Sequence, residues 1–154
     1  LLEDCDWSVR HAAVEAVGRI SEKCDQLAFN VVGPLLDDNH WRVRQAALEV
    51  YAEVAEKGKH HASGNRHGRV RQMLEDCHWR VRQAAVEALA QVTEKGNQDA
   101  IAAVSARLED DDAQVRQAAV EALLQVADKG NQDVITAVST RLKDSSDAVR
   151  EAAM

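Results

Sequence analysis

The stretch LEDCHWRVRQAAVEAL, residues Leu74 to Leu89, is restated along the whole chain. Its opening leucine recurs at Leu2, Leu36, Leu74, Leu108 and Leu142, at spacings of 34, 38, 34 and 34 residues. Two places later each unit has an aspartate (Asp4, Asp38, Asp76, Asp110, Asp144). Further on each has a Val-Arg pair ending at Arg10, Arg44, Arg82, Arg116 and Arg150. Self-similarity at this period predicts a stacked array of small units rather than a domain built around one centre. Such arrays present long surfaces and rarely enclose catalytic pockets, so a noncatalytic role is expected and no catalytic residue is assigned.

Composition agrees. Apolar residues make up 45% of the chain and aromatics only 3%, with alanine supplying much of the apolar share. Many small residues suit close helix-to-helix packing and argue against a bulky β-sandwich core. A formal charge of −7 disfavours nonspecific binding to nucleic acid or to an anionic membrane. No apolar run approaches the ~20 residues of a membrane span. Three cysteines, Cys5, Cys24 and Cys77, form no disulfide framework and favour an intracellular, reducing compartment. Neither end carries the polar terminal unit that a solenoid needs. The chain is therefore expected to be a piece of a longer array, its ends covered by neighbouring repeats or subunits.

Each unit reads as two helices. Between Asn97 and Gly130, Asn97 or Asp99 can cap a short first helix with apolar positions Ile101, Val104 and Leu108. Asp111 or Asp112 can then cap a second helix striped by Val115, Ala119, Ala122, Leu123 and Val126. Lys129 is placed in the last turn, with Gly130 as its left-handed stop. The Lys57-Gly58 and Lys95-Gly96 pairs repeat that ending. One unit departs: its stretch from Lys59 to Met73 is four residues longer than its counterparts. There Arg66, His67 and Arg69 stand at expected core positions, and only Val70 and Leu74 keep the pattern. With Gly64 and Gly68 added, the segment reads as a loosened first helix or an enlarged loop. A one-base shift across the codons of Asn65 to Val70 also permits an alanine-rich, core-like reading, which the coding nucleotides would settle.

A period of 34 is shared with tetratricopeptide repeats, but those want Trp, Leu-Gly and Tyr in the first helix. Trp79 is followed instead by Arg80-Val81-Arg82-Gln83-Ala84-Ala85. The Leu-x-Asp-x-x-x-x-Val-Arg-x-Ala-Ala-x-x-Ala pattern resembles HEAT repeats, particularly the short type of phycobilisome-lyase-like proteins, over nearly the whole chain. The resemblance implies an all-α solenoid of stacked helix-turn-helix units, a single array over residues 1–154 with units opening at 2, 36, 74, 108 and 142. It also implies two alternatives to a protein-binding scaffold: an accessory subunit of a pigment–protein or lyase assembly, and a nucleic-acid-binding module. Acidity opposes the second alternative, whose only local support is Lys59, Arg66, Arg69 and Arg71. HEAT-like iron hydroxylases carry His-Glu pairs, and this chain has no such dipeptide.

The recurring Asp and Arg are read as structural, because a catalytic pair rarely repeats five times. They would tie neighbouring units together by charge-assisted hydrogen bonds. Trp7, Trp41 and Trp79 share one repeat position, occupied by Ala113 and Asp147 in the last two units. Packing of each ring over its own turn is the structural reading. The functional reading is an aromatic ridge flanked by Arg42 and Arg80, residue types common in interface hot spots. The outward stripes of the second helices are acidic and polar: His11-Glu15-Arg19-Glu22, Gln45-Glu49-Glu53-Glu56, Gln83-Glu87-Gln91-Glu94 and Gln117-Glu121-Gln125-Asp128. An ordinary solvated face explains them. If they bind, rungs such as Glu49, Glu53, Glu87 and Glu94 imply a basic protein partner. His60, His61 and His67 cluster, and His40 and Cys77-His78 lie in turns, but none has the paired spacing of a zinc site. They are read as surface histidines, with no metal and no cofactor assigned.

Overall fold

The computed structural model describes residues 1–21, 26–57 and 64–154, with the side chains of residues 26, 56–57 and 64–67 outside that description. Every regular element among the described residues is helical. The chain divides into two compact units, Leu1–Val92 and Thr93–Met154.

In the first unit, α1 (Trp7–Ile20), α3 (Trp41–Lys57) and α5 (Trp79–Val92) pack side by side. The shorter α2 (Gln26–Val32) and α4 (Gly64–Gln72) lie against them, each running into a 3-10 turn at Gly33–Asp37 and Met73–Glu75. Small residues let the long helices approach. Ala47 and Ala85 are wholly buried, as are Val14, Val43, Leu48, Val81, Val86 and Leu89. Gly18 is the tightest point: a β-carbon there would stand 2.7 Å from Val50 Cγ2. In the second unit, α6 (Gln98–Ser105) and α8 (Gln132–Arg141) accompany α7 (Ala113–Val126), which also packs against α9 (Asp147–Ala152). Its core is Ile101 and Val104 from α6, Leu108 from the 3-10 turn Ala106–Glu109 that follows it, and Val115, Ala119, Ala122, Leu123 and Val126 from α7, all buried as their spacing predicts.

The caps follow the repeat. Asn97 accepts a hydrogen bond from the Ala100 amide, and Asn131 does the same for Val134. Asp6 and Asp112 accept from the amides of Ser8 and Gln114. Each such cap contributes about 1 kcal/mol. The glycine reading needs correction. Gly96 and Gly130 do take positive φ, 82° and 84°, but α5 and α7 already end at Val92 and Val126. Both glycines, with Lys95 and Lys129, therefore lie in the turns before α6 and α8 and not at helix stops. At Gly96 the amide donates to the Val126 carbonyl at 2.7 Å, and the Asp128 carboxylate occupies the space of a β-carbon. Gly58 lies outside the described residues.

The Asp/Arg pairs are structural ties. Arg10 sets Nε and Nη2 on Asp38 at 2.7 and 2.9 Å while its Nη1 donates to the Asp4 carbonyl at 2.7 Å. Arg44 grips Asp76 at 2.7 and 2.8 Å and the Asp38 carbonyl at 2.7 Å. Arg116 grips Asp144 at 2.9 and 2.8 Å and the Asp110 carbonyl at 2.8 Å. Arg82 and Arg150 donate to the carbonyls of Asp76 and Asp144 in the same way. Each aspartate thus serves its own unit's arginine through its carbonyl, and Asp38, Asp76 and Asp144 serve the preceding arginine through their carboxylates. Burial raises the pKa of Asp38 and Asp76, but the Arg10 and Arg44 forks and the amides of His40 and His78 outweigh it and hold both low. The Arg116 fork, against a smaller opposing effect of burial, holds Asp144 at about 2.

The long segment keeps a first helix and departs from expectation at Arg69. Residues Gly64–Gln72 form a helix, with Val70 and Leu74 buried as their positions predict. Arg69 does not replace a core residue. It is exposed, donating to the Gly33 carbonyl at 2.8 Å and to Asp37 at 2.9 Å. His60, His61 and the side chains of Arg66 and His67 lie outside the described residues. Val149 of α9 is fully buried, and Ala153, just past the end of that helix, is half-buried.

Candidate functional site

The ties above set the start of each long helix. Asp38 Oδ1 accepts the His40 amide at 2.8 Å and Asp76 Oδ1 accepts the His78 amide at 2.8 Å. The turn is thereby fixed so that Trp41 and Trp79 become the first helical residues, as Trp7 is in α1. The rings do not simply cover their own turns. His40 stacks on Trp7 with centroids 4.2 Å apart and planes 9° apart. His78 stacks on Trp41 at 4.1 Å and 7°. Each histidine also sits near the tryptophan that follows it, at 6.1 Å for Trp41 and 6.2 Å for Trp79. The result is a continuous edge of five rings running Trp7, His40, Trp41, His78, Trp79.

Two arginines interleave with it. The Arg42 guanidinium carbon lies 5.1 Å from the Trp7 centroid and 5.2 Å from Trp41. Arg80 lies 5.6 Å from Trp41 and 4.7 Å from Trp79. Both are within cation–π range, worth roughly 0.5–1 kcal/mol per contact at an exposed site. Both guanidiniums are exposed, and no carboxylate pairs with either among the described residues. They stand at the second residue of their helices, where the macrodipole is positive and a cation is disfavoured. The ring faces hold them there. Burial pushes the His78 imidazole below its ordinary range, opposed by Asp76 and aided by Arg80, Arg44 and Arg82. It is thus neutral near pH 7, in keeping with Nδ1 accepting the Arg80 amide at 3.3 Å. Nδ1 of His40 is buried and has no hydrogen-bond partner among the described residues.

An open groove of about 530 Å³ lies beside this edge. It is lined by Trp7, Ser8 and His11 of α1, by Trp41, Arg42, Gln45, Ala46 and Glu49 of α3, and by Arg80 of α5. Glu49 belongs to the outward stripe, where the amides of Gln45, Gln83 and Gln117 donate to Glu49, Glu87 and Glu121 at 2.8, 2.9 and 2.9 Å. The structure therefore brings five of the sequence-derived candidates into one groove: Trp7, Trp41, Arg42, Arg80 and Glu49. Trp79 continues the edge beyond it. Glu53 and Glu87 are exposed on the same helices outside the lining, and Glu94 belongs to the second unit. Sequence reasoning missed His40 and His78, although the repeated His-Trp dipeptide was the available signal. Among the described residues no three His, Cys, Asp or Glu side chains converge on a metal site, and no helix is long and apolar enough to cross a membrane.

A family model described as HEAT repeats matches residues 1–59 and 69–154. No curated protein sequence matches the chain. Among solved structures, a designed armadillo repeat protein in complex with the peptide (KR)4 is 22% identical at a TM-score of 0.73, covering 99% of this chain and 76% of that one. The YibA protein of E. coli is 23% identical at 0.82, and this chain, covered over 99%, spans 54% of it. The complex of CpcE and CpcF of phycocyanin lyase from Nostoc sp. PCC7120 is 20% identical at 0.71, covering 99% of this chain and 59% of that one. At these identities the likeness concerns the fold, an all-α repeat solenoid.

Proposed function

The chain belongs to the HEAT-repeat family, and from that premise we propose that it is a noncatalytic scaffold binding an extended protein segment on its Leu1–Val92 unit. The observation that carries this reading is the groove in which the Trp7–Trp41 edge meets Glu49. Rigid aromatic faces give contact area at little entropic cost, and Trp and Arg dominate interface hot spots. The stripe of Glu49, Glu53 and Glu87 on α3 and α5 supplies acceptors for cationic side chains. A solenoid of like fold that holds a (KR)4 peptide supports a basic stretch in the partner.

The test is a pull-down with the whole chain to identify the partner, followed by titration of variants whose helicity is intact. Alanine at Trp41 and Trp79 should weaken binding with little change in salt dependence. Charge reversal at Glu49 and Glu87 should weaken it mainly at low salt. Unchanged affinity in both variants would remove this surface from the function. Loss of binding on adding salt, with a nucleic acid as the captured species, would favour the nucleic-acid reading instead.

A further inference from the structure

We propose that the Trp–Arg edge is a carboxylate-reading surface, which takes an extended segment with acidic side chains about one repeat apart at Arg42 and Arg80. This rests on the scaffold reading and adds the chemistry of the partner at part of its groove. Four observations carry it. Arg42 and Arg80 are exposed cations that no acidic side chain among the described residues neutralises. Each sets its guanidinium carbon over two tryptophan rings, 5.1 and 5.2 Å from the centroids for Arg42 and 5.6 and 4.7 Å for Arg80. A cation held by ring faces keeps its N–H donors uncommitted, and a guanidinium fork pairs with a carboxylate in two hydrogen bonds. Finally, both stand in the first turn of α3 and α5, whose dipoles add to the attraction for an anion.

The arrangement also differs from that of Arg10, Arg44 and Arg116. Arg10, Arg44 and Arg116 spend their forks on aspartates of the fold. Arg42 and Arg80 make no such tie, and their contacts hold them in place without satisfying them. Packed helices lie about 8–10 Å apart, and a chain in the polyproline II conformation completes one turn and rises about 9 Å in three residues. Acidic residues at i and i+3 of such a segment therefore lie on one side at the spacing of the two helices, with the intervening neutral residues turned away from the forks. Glu49 in the lining of the same groove and the net charge of −7 repel a uniform polyanion. A peptide with spaced carboxylates is thus favoured over nucleic acid, and any basic residues in it fall toward the glutamate rungs.

The experiment titrates the full chain against three fluorescein-labelled probes: (Glu-Ser-Ser)4, (Lys-Ser-Ser)4 and the oligonucleotide dT12. Fluorescence anisotropy is read at 50 and 300 mM salt. The acidic peptide should bind, more weakly at the higher salt. Arg42→Gln with Arg80→Gln should raise its Kd at least about tenfold with helicity unchanged, as expected for losing two charge-assisted pairs. Lysine at both positions should recover only part of the loss, since the charge returns without the fork. Binding of the lysine peptide alone would overturn the proposal and leave the scaffold reading standing on its acidic rungs. Binding of neither peptide would count against both. The proposal also fails if dT12 binds as tightly as the acidic peptide, or if the glutamine variant binds the acidic peptide as the parent does.

Discussion

Arg116→Ala should cost the protein about 2 kcal/mol at neutral pH, and the larger part of the loss should disappear in acid. Two independent routes give that magnitude. Asp144 is held at about 2 against an ordinary 3.8, which at about 1.4 kcal/mol per pH unit is roughly 2.5 kcal/mol. The Ser146 amide and Arg141 contribute part of that shift, and with the Arg116 and Asp144 side chains 12% and 5% exposed solvent screening trims it further, leaving about 2 kcal/mol for Arg116. Counted as hydrogen bonds, a fork to a charged acceptor removed with one partner left behind costs about 1.5–3 kcal/mol. The sign follows from linkage. A depressed carboxylate pKa stabilises the fold above the unfolded value, and the contribution drains away as pH falls through the folded one. The gap between parent and variant should therefore be constant above about pH 5, shrink as pH falls from about 4 through 2, and level off at the smaller part owed to the Asp110 carbonyl bond. Urea unfolding followed by far-ultraviolet circular dichroism at stepped pH measures it. Asp144→Asn should cost less, because the amide oxygen still accepts from Ser146, and adding it to Arg116→Ala should cost little more. A gap near zero at pH 7, or one that persists undiminished at pH 2, would refute the reasoning.

Gly18→Ala should destabilise the first unit by about 1–3 kcal/mol through overpacking against Val50; adding Val50→Ala should recover most of it in thermal melts. Gly68→Ala should raise stability by about 0.5–1 kcal/mol, since the site is helical and open, whereas Gly130→Ala at φ 84° should lower it by about 1 kcal/mol. Hydrogen exchange should be faster at Val70–Gln72 in α4 than at Ile101–Val104 in α6, because two glycines weaken the former while Asn97 caps the latter.

Much of the fold is legible in the sequence because its signals are local and repeated. Val115, Ala119 and Leu123 announce a buried helical face whatever lies opposite, and the Asp/Arg pairs declare themselves structural by recurring. The helix ends were harder. Gly96 and Gly130 do require positive φ, but a glycine marks a turn without saying whether the helix has stopped there or four residues earlier. Arg69 was misplaced because alignment puts it with Ala103 and Ala137, positions that are themselves only half-buried. At the candidate site, Trp7, Trp41 and Trp79 could be placed in one row from their shared register. The intercalation of His40 and His78 could not, since it depends on how far one unit reaches over the next. That distance is set by the packing of Ala47 and Gly18 rather than by any motif around the histidines.

The arginine tie carries one consequence for how such a chain can change. Arg10 and Arg116 reach aspartates 28 positions ahead, while Arg44 reaches one 32 ahead, and the fork distances are the same to within 0.2 Å. The joint reads the short interval from an aspartate to its own Val-Arg, and ignores how much chain intervenes before the next aspartate. Length can therefore be added between one joint and the next without shifting the register of the rings that follow. The interval between Arg44 and Asp76 is where nature has already used that latitude, and where a designer could graft a new segment while leaving the edge from Trp7 to Trp79 intact.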